Sequence, residues 1–137
     1  METNPIDSPI DIRIFNYGEI YMIKDKLVSF PESRYTSGRT LHDKRMVCII
    51  HHCESNGNKH IWTVNAAPLS TRTDMKRDTD LELEPEEGNY FNRKSLIRLG
   101  AAQPFLKVDL EGPVGKLNTG QLMLLSALQL KLAGIDI

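Results

Sequence analysis

Lys44-Arg45-Met46-Val47-Cys48-Ile49-Ile50 and Asn65-Ala66-Ala67-Pro68-Leu69-Ser70-Thr71 decide how this chain is read. Each is a short apolar run of strand length. The first opens on two cations and the second closes on two hydroxyls behind a proline. Between them, Ser55-Asn56-Gly57-Asn58 centres on Asn-Gly, the strongest short-range hairpin signal. Upstream, Gly18-Glu19-Ile20-Tyr21 is a third run of the same kind. An arginine and a hydroxyl at neighbouring strand ends, with no acidic metal cage beside them, can hold and polarise a phosphate.

Working outward, strands are expected at residues 17–23, 46–53, 59–69, 80–83, 96–99 and 105–110, the last two separated by Gly100 and Pro104. Several short strands at this spacing suit a small β-barrel. The period then changes. Asn118 with Gln121 three residues on is a capping-box pattern. Leu122, Leu125, Leu128 and Leu132 recur at helical spacing, and Gly134 stands where a C′ glycine belongs. Met123, Leu124, Ala127 and Leu130 widen the apolar surface, so the helix is expected to be covered on more than one side. It would pack on the barrel and help a second subunit dock. The fold class is therefore α+β, mainly β, with a closed or half-open barrel and a C-terminal helix.

With 137 residues the chain is expected to form one domain, residues 17–137, preceded by an N-terminal arm of residues 1–16. The arm carries Pro5 and Pro9 and alternates Ile10, Ile12 and Ile14, which suits an edge strand or a tail laid on a partner. A chain of this length can bury a core without disulfides or metals. Cys48 and Cys53 lie at odd spacing on one strand, point to opposite faces, and read as reduced thiols of a cytosolic protein. No apolar run is long enough to span a bilayer, no signal-peptide pattern opens the chain, and no internal repeat is visible. Formal net charge is -1, so bulk charge leaves no nucleic-acid footprint and any polyanion site must be a local patch.

The loop of residues 24–44 supplies such a patch. It holds Lys24, Lys26, Arg34, Arg39, Lys44 and His42 against Asp25, Glu32 and Asp43. A loop this long in a small domain is functional or disordered. His42 lies three residues before Arg45 in the loop, and histidine is a residue type suited to proton transfer. His51, His52, His60, Cys48 and Cys53 match no standard zinc spacing, and no metal is expected. The six carboxylates of residues 78–87 alternate with Leu81 and Leu83, which reads as a solvated strand face away from any phosphate site. Tyr35 and Trp62 can stack on bases, although Trp62, inside a strand, better fits a core or a dimer interface.

The motifs together resemble the MazF/PemK family of toxin endoribonucleases from toxin–antitoxin pairs. Gly18-Glu19-Ile20-Tyr21 is similar to that family's opening strand. Lys44-Arg45-Met46-Val47-Cys48-Ile49-Ile50 is similar to its Arg-Pro-apolar strand. Ala67-Pro68-Leu69-Ser70 resembles its Ala-Pro-apolar-hydroxyl element. Ser95-Leu96-Ile97 with Gln103-Pro104, and Val114-Gly115-Lys116-Leu117 before the capped helix, complete five motifs in order. Three positions depart from the pattern: Met46 replaces the proline, Phe105 stands where an arginine is common, and Arg39-Thr40-Leu41-His42-Asp43 replaces a glycine-rich segment.

The resemblance implies cleavage of single-stranded RNA without a metal cofactor, by attack of the ribose 2′-OH on its own 3′-phosphate. It implies Arg45 as anchor of the phosphorane charge and Ser70 as its hydroxyl partner; His42, by its place in the loop, is the candidate for proton transfer. Thr71, Lys44, Arg39 and Lys24 would bind substrate, with Lys107 supplying the cation lost at 105. The implied partners are RNA, a cognate antitoxin and a second copy of the chain. Two other classes stay open: a toxin-fold protein that binds a protein target such as gyrase, and a degenerate RNA-binding member without chemistry.

Overall fold

The structure is a computed structural model that describes residues 8–36, 41–52, 57–86, 88 and 91–135. Seven strands follow in the order β1 (Glu19–Lys24), β2 (Lys44–Ile49), β3 (Thr63–Ser70), β4 (Asp80–Leu83), β5 (Ser95–Arg98), β6 (Gln103–Leu106) and β7 (Glu111–Lys116). One helix, α1 (Thr119–Leu132), ends the chain. The strands form one antiparallel sheet ordered β4-β5-β3-β2-β1-β7, with β6 also on β3. The sheet curls without closing, so the barrel is half-open.

β3 is the hub. Its first half pairs with β6, Thr63 opposite Leu106 to Ala66 opposite Gln103. Its middle pairs with β2, Val47 opposite Pro68 to Ile49 opposite Ala66. Its end turns to β5, with Ser70 opposite Leu96. Pro68 has no N–H to donate, which its place beside this change of partner tolerates.

Strand alternation divides the core in two. Tyr21, Ile23, Val47, Ile49, Val64 and Ala66 face one cluster with Phe15, Val28, Phe105 and Leu110. Ile20, Cys48, Ala67 and Leu69 face the other, with Leu83, Phe91, Ile97, Leu99, Leu117 and Leu125. The central strands are therefore apolar on both sides, which explains why their sequence runs are continuous rather than alternating.

α1 starts as the sequence predicts. Asn118 Oδ1 accepts the Gln121 N–H at 2.8 Å, and Gln121 Oε1 accepts the Asn118 N–H at 3.0 Å. It ends in a Schellman turn: the Ile135 N–H donates to Leu130 O and the Gly134 N–H to Lys131 O, with Gly134 at φ +81°. Polar bonds tie it to the sheet. Gln129 Nε2 donates to Ile50 O at 3.0 Å, and Tyr17 Oη joins Gln129 and Ser126. At Gly18 (φ +84°) a Cβ would stand 2.2 Å from Leu122 Cδ2, so only glycine lets α1 approach the start of β1.

Three expectations change. Only Gln121 and Leu125 of α1 are buried, while Met123, Leu124, Leu130 and Leu132 are exposed, so within one chain the helix is covered on one side. The arm at residues 8–16 forms no strand. Its isoleucines face out, whereas Phe15 is buried and Asp11 and Arg13 turn inward, Arg13 Nη2 donating to Lys107 O at 2.6 Å. β7 was not foreseen, because its Gly112, Pro113 and Gly115 read as loop. Of the two cysteines, Cys48 is a buried free thiol whose pKa burial raises; Cys53 lies outside the described residues.

Candidate functional site

Asp25 opens the loop after β1 and is fully buried. Two groups hold it in place: the His42 N–H donates to Oδ2 at 2.9 Å, and Arg45 Nε donates to Oδ1 at 2.7 Å. Arg45 Nη2 reaches Oδ2 at 3.5 Å, while Nη1 donates to Leu69 O at 2.7 Å. The Phe30 ring lies 5.2 Å from the guanidinium carbon. Arg45, at the mouth of β2, is thus clamped by a buried carboxylate, a carbonyl and an aromatic face. One N–H on each terminal nitrogen has no partner among the described residues, and a guanidinium with two such donors can bind two oxygens of a phosphate.

Arg45 also lines an open cleft of about 200 Å³, together with Phe30, Glu32, Ser33, Thr36, Ser70, Arg77 and Arg98. Ser70 ends β3 beside Leu69, so the carbonyl that steers Arg45 and the hydroxyl that shares its cleft are adjacent in sequence. Ser70 Oγ accepts the Arg72 N–H at 3.1 Å, which leaves its own O–H to donate.

The far wall repeats the arrangement. Asp80, the first residue of β4, has a side chain 2 % exposed; its Oδ2 accepts the Arg77 N–H at 2.9 Å and lies 3.7 Å from Arg98 Nη1. Arg98 ends β5 directly opposite Asp80 in the ladder. Arg77 is exposed, and its guanidinium has no partner among the described residues. Sequence reading missed Arg77 and Arg98 and placed the acidic run away from the site. The only signal was Asp80 pairing in register with Arg98, which requires knowing the β4–β5 hairpin.

The structure brings Arg45 and Ser70 together and leaves the other expected residues apart. Thr71 Oγ1 accepts from Arg93 Nη2 at 3.1 Å, next to the cleft but outside its lining. His42 touches the site through its backbone, and its imidazole is exposed. Lys44 pairs with Glu111 at 2.6 Å across to β7, which raises its pKa, and Lys24 is exposed opposite it in the β1–β2 ladder. Arg39 lies outside the described residues. Lys107 is 1 % exposed, and its ammonium has no hydrogen-bond partner among the described residues. A lysine shut into the far cluster cannot replace a cation in this cleft. Trp62 and Tyr35 are exposed. Among the described residues no group of three or more His, Cys, Asp or Glu could hold a metal, and no helix is long and apolar enough to cross a membrane.

A half-open antiparallel sheet with a single C-terminal helix, its arginine cleft at the strand ends, is a MazF-like toxin fold. Two solved structures carry that assignment. The Mycobacterium tuberculosis toxin MazF-mt6 is 18% identical, covers 87% of this chain and 99% of its own, and superposes with a TM-score of 0.61. A second structure, described as an Mtb toxin, is 23% identical over 61% of this chain and 87% of its own, with a TM-score of 0.51. At such identities the likeness is one of fold. No protein-family model and no curated protein matches the sequence.

Proposed function

We propose that this chain is the toxin of a toxin–antitoxin pair, a sequence-specific endoribonuclease that cuts single-stranded RNA without a metal cofactor and arrests growth in the cytoplasm. One observation carries the reading: on a MazF-like fold, Arg45 is locked by buried Asp25 and lines one cleft with Ser70. The guanidinium holds two non-bridging oxygens of the scissile phosphate, and Ser70 donates to one of them. The ribose 2′-OH attacks the phosphorus, the 5′-oxygen leaves, and a cyclic phosphate forms. The charge gathered on the phosphorane meets a cation that needs no reorganisation. His42, whose N–H caps the same carboxylate, carries the proton transfers from the adjoining segment. A cognate antitoxin holds the toxin inactive, and two chains associate through the exposed face of α1.

The test is cleavage of a long single-stranded RNA in EDTA. Removing Arg45 outright strands the buried Asp25 charge at a cost of about 3–5 kcal/mol. Arg45→Lys and Ser70→Ala, checked by thermal melts, are therefore the informative variants. The wild type should leave 5′-hydroxyl ends. Arg45→Lys should lower kcat about a hundredfold or more, the scale of losing one donor to a developing charge. His42→Ala should also lower turnover sharply. A folded, antitoxin-free wild type that cuts no RNA overturns the reading.

A further inference from the structure

Arg77 belongs to two adjoining hollows. It lines the cleft with Arg45, Ser70 and Arg98, and it also lines a second hollow of about 330 Å³ with Lys76, Asp78, Asp80 and Lys131. Arg98 Nη1 lies 3.7 Å from the buried Asp80 carboxylate, a looser ion pair than the 2.7 Å bond between Arg45 and buried Asp25. Fixing an arginine with a buried carboxylate costs desolvation that a merely solvated cation avoids. Two such pairs on opposite walls of one small cleft, with a third, unpartnered guanidinium between the hollows, outnumber what a single phosphate requires. Acids stand among the lining residues as well, Glu32 in the first hollow and Asp78 and Asp80 in the second. Lys131, on the last turn of α1, has no side-chain partner among the described residues; Lys76 reaches Glu82 only at 3.8 Å.

We infer that Arg77 and Arg98 form a second phosphate subsite, which holds the backbone phosphate next to the one at Arg45 and Ser70 and leads the strand past Lys76 and Lys131. The inference rests on the nucleic-acid reading of the cleft and adds the direction in which the strand leaves. Arg98 fixes one oxygen from a rigid position. Arg77, free to swing, closes on the strand from solvent. The subsite contributes to grip, so its loss falls in KM more than in kcat.

The experiment measures binding of a 2′-O-methyl oligonucleotide of about 12 nucleotides and randomised sequence, which cannot be cut, across a salt series. In the double variant Arg77→Ala with Arg98→Gln, the slope of log affinity against log salt should shrink by about 0.7, the value for one single-strand phosphate. Affinity should drop about tenfold or more. Lys59→Ala, in the turn before the far end of β3, should keep the wild-type slope. If the double variant melts early, Arg77→Ala alone decides, since that exposed side chain makes no hydrogen bond or ion pair with another described residue. A slope and affinity equal to wild type overturn the subsite. The two readings fail separately. Arg77-dependent binding without RNA cleavage keeps the subsite and removes the ribonuclease. Cleavage with KM unchanged in both variants keeps the ribonuclease and removes the subsite.

Discussion

Arg45 directs three of its five N–H groups to Asp25 and Leu69, and that division makes it a fixed cation rather than a solvated one at a strand end. Lys107, in the segment after β6, shows the opposite case. It carries the same charge, yet it is shut in beneath the arm and reaches its surroundings only as a field. It is one of the groups that hold His51 below its ordinary pKa, after partial burial and His52. His51 Nε2 accepts the Asn65 N–H at 3.2 Å, which requires the neutral ring. The folded pKa is depressed, so the unfolded chain binds the proton more readily. This stabilisation is complete above the ordinary histidine value of 6.5 and is lost as pH falls through the lower, folded value. Thermal melts should therefore show Tm falling between about pH 7 and pH 5. His51→Gln, whose amide oxygen can still accept the Asn65 N–H, should flatten that fall; an unchanged profile would assign the pH dependence elsewhere.

Among the elements, α1 was the most legible, because a cap, a leucine repeat and a C′ glycine are local chemistry. Asn118→Ala removes the bond to the Gln121 N–H and should cost about 1 kcal/mol. For a domain of this size that lowers Tm by roughly 3–4 °C in a melt, and Asn118→Asp should restore most of it. β4 also appeared where alternation placed it, at Asp80–Leu83. β7 did not, since glycine and proline hide a strand whose pairing to β1 is decided by long-range contact. The Arg98–Asp80 pair was hidden for the same reason. Neither residue is unusual alone, and only the hairpin register sets them face to face.

On the scale of the whole molecule, the open question is what covers α1. Met123 is 68 % exposed, and Leu124, Leu130 and Leu132 continue the apolar surface around it. The core on its inner side is complete, with Leu125 fully buried. A helix apolar all round leaves its outer face for another surface, and a second copy of this chain is the proposed one. Sedimentation velocity should give a dimer for the wild type. Met123→Glu with Leu124→Glu, two exposed positions remote from the buried face, should give a folded monomer. A dimer that survives both charges would move the interface off this helix.

The order of apolar runs and the capped leucine helix were enough to state a small closed or half-open barrel with a C-terminal helix, because each is written in contiguous residues; the expected Asn-Gly turn lies partly outside the described residues. Arg45 and Ser70 were legible for the same reason, each ending a strand that could be read locally. The second wall of the cleft was decided by the tertiary structure. Arg77, Arg98 and Asp80 come from segments whose meeting depends on how β4 pairs with β5 and how β3 turns from β2 to β5. The fate of Lys107 was decided there as well. Whether a cation faces a phosphate or lies buried is a property of packing, and no spacing of residues along the chain carries it.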